Sequence, residues 1–175
     1  PGPDVVGATR EAELRAAARE LGVREVSILG FPDGGLDAVD PVRAQVAIVE
    51  QLRRVRPHVV ITFGPEGAYG HPDHIAISQL TAAALTRAAD EHQVLKFYYF
   101  VNGERKWAAY QAAFKTLISN VDGTVRAAFA WPDWSITTKV DARAAWQPVW
   151  RAVQCHTTQM SIYKNVASLT EDDQK

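Results

Sequence analysis

The chain has 175 residues, 47% of them apolar, which suits one domain of ordinary size with a buried core. Its formal net charge of −1 excludes a general electrostatic attraction to nucleic acid or to an anionic membrane. No apolar run approaches the ~18 residues of a membrane span. Cys155 is the only cysteine, which rules out an internal disulfide and suits a reducing cytoplasm.

In chain order, residues 1–7 are rich in Pro and Gly and read as a loop. Thr9 predicts the N-cap of a helix over 10–21, with Leu14, Ala17, Ala18 and Leu21 on one apolar face. Gly22 supplies its stop. Residues 26–29 predict a short strand that opens into the loop Gly30-Phe31-Pro32-Asp33-Gly34-Gly35-Leu36. Asp40-Pro41 places an N-cap Asp before a Pro at the first helical position. That helix carries Val42, Val46, Val49 and Leu52 on one face and stops before Pro57. Residues 59–63 read as a buried strand, 75–89 as an alanine-rich helix, and 94–101 as a further, aromatic strand. The alternation predicts an α/β fold, a Rossmann-like, mostly parallel sheet with helices on both faces.

Beyond Asn102-Gly103 the pattern weakens. It predicts a helix over 107–118, strands over 125–130 and 136–140, and a helix over 142–155. The last has Trp146, Val149, Trp150 and Val153 on one side and a kink at Pro148. Residues 171–175 form a charged, solvated tail. No repeat or composition break divides the chain, so residues 1–175 are expected to form a single domain.

The chemistry concentrates in Ala68-Tyr69-Gly70-His71-Pro72-Asp73-His74, between a strand and a helix. Ligands of α/β folds bind at such places, beyond the carboxyl ends of strands. His71 and His74 are three apart and share one side of a helix start, so two imidazoles can face one cleft. Asp73 can accept an N–H from one of them and fix its tautomer. Tyr69 can donate to a developing oxyanion. The same spacing also serves a plain helix cap at Asp73 flanked by two surface histidines. Two imidazoles fall short of the three protein ligands that a metal site needs as a rule. A nucleotide-binding α/β module is disfavoured, because no Gly-X-Gly-X-X-Gly follows a strand.

Gly70-His71-Pro72-Asp73-His74 after a strand resembles the second signature of the PIG-L/LmbE-like deacetylases. These are zinc-dependent enzymes that remove acetyl from N-acetylglucosamine-type groups. The likeness extends to Arg10-Glu11-Ala12-Glu13 with Leu21-Gly22, to Phe31-Pro32-Asp33-Gly34-Gly35-Leu36, and to Pro57-His58-Val59-Val60. It continues through Thr137-Thr138-Lys139-Val140-Asp141 and Cys155-His156-Thr157-Thr158-Gln159, so that it spans roughly residues 9–160. The resemblance implies that His74 is a zinc ligand and that His71 is a catalytic histidine oriented by Asp73. It implies that Tyr69 faces the oxyanion, and that Arg10 and Asp33 bind sugar or inositol hydroxyls of an acylated amino-sugar substrate. His156 is read as structural, Cys155 as a buried apolar residue, and Trp146 and Trp150 as core.

The family's first signature, Ala-His-Pro-Asp-Asp-Glu, does not occur in these 175 residues. By the resemblance it precedes the point where this chain begins. It supplies a His and an Asp as the other protein ligands of Zn2+, the general-base Asp, and the first strands of the sheet. The chain does not start with Met, and nothing at its start resembles a signal peptide. The expectation is an N-terminally incomplete domain. It is completed by a preceding segment or by a second copy in a homo-oligomer, or it is the product of truncation. Residues 1–175 alone are expected to be inactive and to associate or fold poorly. The competing reading is a non-catalytic truncated family member that keeps a carbohydrate-binding cleft.

Overall fold

The structure is a computed structural model that describes residues 2–114, 118–121 and 123–163. In order it contains α1 (Pro3–Glu20), α2 (Pro41–Val55), β1 (Val59–Phe63), a helical turn α3 (Gly67–Gly70) and α4 (Pro72–Ala88). There follow β2 (Lys96–Phe100), α5 (Glu104–Phe114), β3 (Ile118–Val121), β4 (Thr124–Ala127) and α6 (Trp146–Gln154). The chain divides into two compact units. One comprises Leu29–Trp107 with Thr116–Ile136; the other comprises Pro1–Ile28, Ala108–Lys115 and Thr137–Lys175.

The first unit is a mixed helix and strand structure built on a parallel pair. Helix α2 starts where Asp40 Oδ1 accepts the Val42 N–H at 2.9 Å, with Pro41 in the first turn. It ends at Arg56 in the left-handed conformation, whose N–H closes on Leu52 O at 2.9 Å. Val49 and Leu52 of α2 meet Ala84 and Ala88 of α4, and Val60 of β1 packs on them. Ala84 is 0% exposed, so its methyl group sets how closely the two helices approach. A second patch joins Ala44, Ala76 and Leu80 to Phe31, Leu36 and Ile48. Strands β1 and β2 run parallel, in register from Val59 opposite Lys96 to Phe63 opposite Phe100. Side chains alternate along a strand. With Val60 turned to the helices, Val59 and Ile61 occupy the other face, where Ile61 is 65% exposed. Strands β3 and β4 form an antiparallel hairpin.

In the other unit α1 packs on α6. Glu13, 7% exposed, accepts hydrogen bonds from Thr157 Oγ1 (2.7 Å), Thr158 N (2.8 Å) and Thr158 Oγ1 (2.8 Å). The Thr158 N–H above all, then the two hydroxyls and the His156 charge, hold its carboxyl below the ordinary range. Glu20 pairs with Arg151 at 2.7 Å. Trp146 and Trp150 stack with ring centroids 5.9 Å apart.

Several expectations need correction. Residues 3–7 are helix, because Gly2 caps in an extended conformation and Pro3 fits the first turn. Thr9 is therefore interior, its hydroxyl bonded to Val5 O at 2.8 Å. Residues 26–29 and 136–140 lie outside any strand. A strand needs a neighbour's backbone, and no β-ladder reaches either stretch among the described residues. The predicted apolar faces hold in part: Ala17, Ala18, Val49 and Leu52 are buried, whereas Leu14, Val42, Val46 and, just past α1, Leu21 are exposed. Glu13 and Ala44 are buried as well. Pro148 sits in the first turn of α6, where its missing N–H has no helical partner to lose. Cys155 is only part-buried. Residues 115–117 of the expected helix and the tail at 171–175 lie outside the described residues.

Candidate active site

Past Phe63 the chain makes a compact loop before α4. Gly67 and Gly70 both have positive φ, of 65° and 75°. A Cβ on Gly67 would lie 2.7 Å from Ile75 Cγ1 and 3.2 Å from His74 Cβ. One on Gly70 would lie 2.5 Å from Arg126 Cβ, so both positions require glycine for space as well as conformation. Between them Ala68 adopts φ 62°, ψ −61°, a strained γ-turn geometry for a residue with a Cβ. The hairpin grips this loop from outside. Ser119 Oγ donates to Gly70 O at 3.1 Å and Tyr69 O at 3.3 Å, and Arg126 Nη1 donates to Gly70 O at 3.3 Å.

The loop delivers His71 as the N-cap of α4. Its Nδ1 accepts the Asp73 backbone N–H at 3.2 Å, so the neutral ring carries its proton on Nε2. His74 is the reverse. Its Nδ1 lies 3.2 Å from Gly67 O, and because a carbonyl only accepts, Nδ1 is the protonated nitrogen. That leaves a lone pair on His74 Nε2. The two ring centroids are 4.8 Å apart. His74 also stacks on Phe63 at 3.9 Å and 5°. Burial is the main reason its imidazolium is disfavoured, assisted by His71, with the Gly67 carbonyl and Asp73 opposing.

Tyr69 meets both imidazoles edge-on, at 5.8 Å to His71 and 5.3 Å to His74. Burial, and next the charge of Asp33, push its phenol up, so it stays a hydrogen-bond donor near neutrality. The carboxylate of Asp73 turns away from His71 to the aspartate loop. Its Oδ2 accepts Gly34 N–H at 2.7 Å and its Oδ1 accepts Leu36 N–H at 2.9 Å. A hollow of about 250 Å³ beside it is lined by Asp33 and Asp73 among apolar residues such as Phe31, Leu36 and Leu80, and takes in neither histidine.

The structure thus brings Tyr69, His71, Asp73, His74 and Asp33 into one unit. Arg10 lies exposed on α1 in the other. Among the described residues no group of three or more His, Cys, Asp or Glu side chains could hold a metal ion. The free lone pair of His74 Nε2 has the chemistry of one ligand. Sequence reasoning missed Phe63, the Gly67 carbonyl and the strain at Ala68. Phe63 was visible as the last aromatic of a strand before the motif; a backbone carbonyl leaves no signal in sequence.

Residues 2–85, which hold both the aspartate loop and the histidine motif, match the family PIG-L, described as GlcNAc-PI de-N-acetylase. The chain is PIG-L/LmbE-like. It is 33% identical, over 178 residues, to a 1D-myo-inositol 2-acetamido-2-deoxy-alpha-D-glucopyranoside deacetylase of Mycolicibacterium vanbaalenii, covering 91% of this chain and 62% of that one. A protein of the same name from Mycobacterium sp. strain KMS is 34% identical over 183 residues, covering 93% and 58%. The chain thus spans about three fifths of the length of these curated relatives. Among solved structures it is similar to the conserved protein TT1542 from Thermus thermophilus, with a TM-score of 0.61 and 25% identity. That match covers 96% of this chain and 64% of the other.

Proposed function

We propose that the protein is a zinc-dependent hydrolase that removes acetyl from an N-acetylglucosamine-type amide, releasing acetate and a free amine. The observation that carries this reading is the pair of opposite tautomers. His74 offers a lone pair at Nε2, and His71, whose ring centroid lies 4.8 Å from that of His74, offers an N–H at its own Nε2. His74 would hold the ion as one ligand among others supplied from beyond the described residues. Zinc, when bound, polarises a carbonyl and lowers the pKa of bound water.

The other roles belong to this chain's own groups. Tyr69, kept protonated by burial, donates to the oxygen that becomes anionic when the amide carbonyl is attacked. His71 donates a hydrogen bond from its Nε2–H to the tetrahedral intermediate. Asp73 sets His71 through its backbone N–H and ties the site to the aspartate loop through its carboxylate. Asp33 and Arg10 bind sugar hydroxyls. A cytoplasmic setting rests on the lone cysteine alone. The non-catalytic reading is not favoured, since the family description and the two curated relatives above are named for deacetylation.

The test is zinc content and acetate release from an N-acetylglucosaminide by the intact protein. His74→Ala should lose both, and stoichiometric zinc retained in that variant would remove the assignment. His71→Ala should keep zinc and lose ~10²–10⁴ in kcat.

A further inference from the structure

A second hollow lies behind the histidine loop and takes no part in the chemistry above. Its volume of about 490 Å³ is that of an ordinary small-molecule site. One face of α4 forms much of its lining, through Pro72, Ile75, Ala76, Gln79, Leu80 and Ala83. Their spacings of three, four and seven keep them on one side of the helix. His74, two residues from both Pro72 and Ala76, falls about half a turn round. The hollow and the His74 imidazole therefore share one helical turn from opposite sides. The turn Leu36–Ala38 and the start of α2 supply the rest of the lining, apart from one side chain of the hairpin, Arg126.

Arg126 is where the hollow meets the histidine loop. Its stem presses on Gly70: a Cβ on that glycine would lie 2.5 Å from Arg126 Cβ and 2.9 Å from Arg126 Cδ. Its Nη1 reaches Gly70 O at 3.3 Å, a long bond made by one of the five N–H groups of a guanidinium. Among the described residues the other four make no hydrogen bond. A carboxylate is the group that such a fork matches, through two parallel N–H···O bonds. Val39, Ile75 and Leu80 suit an apolar body carried behind it, and the Gln45 and Gln79 amides give it polar company at the edge. Asp37, exposed on the turn, sets the charge: a second negative group on the ligand would meet a like charge. The hollow beside Asp33 shares Leu36 and Leu80, but its only charged lining groups are the carboxylates of Asp33 and Asp73, so it disfavours the same ligand.

We propose that this hollow binds a small monocarboxylate with an apolar body, and that the bound carboxylate draws Arg126 away from Gly70 O and loosens the histidine loop. A guanidinium withdrawn from Gly70 offers the ligand more donors than one still paired to it, and that difference in affinity drives the shift. The loop responds because Ala68 holds its φ of 62° only while its surroundings fix it. The effect on turnover rests on the deacetylase reading of the loop; the binding and the loosening do not.

The test is calorimetric titration of the intact, zinc-loaded protein with octanoate, neutral octanamide and doubly charged suberate, with hydrogen exchange at residues 67–70 followed at saturation. Octanoate should bind saturably, one per chain, and the other two ~10-fold more weakly. Exchange at 67–70 should accelerate ~5-fold, and kcat for acetate release should fall ~3–10-fold. Arg126→Met keeps the stem, and at its exposed position should lose ~10-fold in octanoate affinity without unfolding. Ala83→Phe fills the hollow about three turns of α4 from the histidines, and should lose octanoate binding while basal kcat stays within ~2-fold. Equal affinity for octanoate and octanamide would overturn the site, as would parental octanoate affinity in both variants or unchanged exchange at saturation. Inhibition that persists in Ala83→Phe would put the carboxylate at the histidine pair and overturn it too. No octanoate binding by a parent that releases acetate overturns the hollow and leaves the deacetylase reading intact. Octanoate binding that both variants lose, with faster exchange in a parent that releases no acetate, supports the hollow and overturns the deacetylase reading.

Discussion

Ala68 holds φ 62° and ψ −61° one residue before the phenol and three before the first imidazole. Only a framework that fixes the loop on both sides keeps an L-residue there, and glycine would enter the same geometry without a clash. Ala68→Gly should therefore stabilise the protein by about 0.5–1 kcal/mol, the relief of strain exceeding the added freedom of the unfolded chain. A urea midpoint that stays put or falls would contradict this. Glu13 makes a second prediction at this scale. Its carboxyl titrates below the ordinary 4.5 in the folded protein. The unfolded state therefore binds the proton first, and stability is full above that ordinary value and lost as pH falls through the lower folded one. Glu13→Gln should lower stability near neutrality and flatten the fall as pH drops below about 4.5. Urea unfolding across that range checks it, and an unchanged slope would count against the assignment. In sequence Glu13 stood out only as the end of the family-like stretch Arg10-Glu11-Ala12-Glu13, with no role attached to it.

At the scale of elements, the β3–β4 hairpin acts on the site without contributing a reacting group. Ser119 and Arg126 hold the carbonyls of Tyr69 and Gly70, so the hairpin fixes the loop from which the phenol and first imidazole project. Ser119→Ala should cost about 1 kcal/mol and lower kcat ~10-fold through a misplaced donor, with little change in KM. Hydrogen exchange at residues 67–70 should accelerate in the same variant; unchanged exchange and kcat would separate the hairpin from the site. Elements with a local cause were legible. Asp40-Pro41 announced α2, and the run 59–63 is β1 residue for residue. The histidine motif likewise declared the start of α4. What was not legible depends on distant partners. Residues 26–29 have the composition of a strand and no ladder to join. The faces of α1 and α2 hold only in part because Glu13 and Ala44 found partners that sequence spacing cannot announce.

For the molecule as a whole, the first unit rests on a thin core. Val49, Leu52, Ala84 and Ala88 lie between two helices and one face of a two-stranded parallel pair. Truncating its largest buried side chain, Leu52→Ala, should cost about 2–5 kcal/mol, a large share of an ordinary domain's stability. The loss should appear as a cooperative drop in the urea midpoint reported from this unit. A loss under about 1 kcal/mol would mean that this cluster is not what holds the unit together.

The carboxylate of Asp73 spans 39 residues to Gly34 and 37 to Leu36 while its own N–H serves His71. The evolutionary consequence is epistasis. A drift to Asn keeps the size of the side chain but turns one acceptor into an NH2 facing a backbone N–H. That single step sets donor against donor, and only a rebuilt aspartate loop relieves it. The segment around residue 34 and the histidine motif are thus bound to be inherited as one unit, and lineages that change one should have passed through a change in the other.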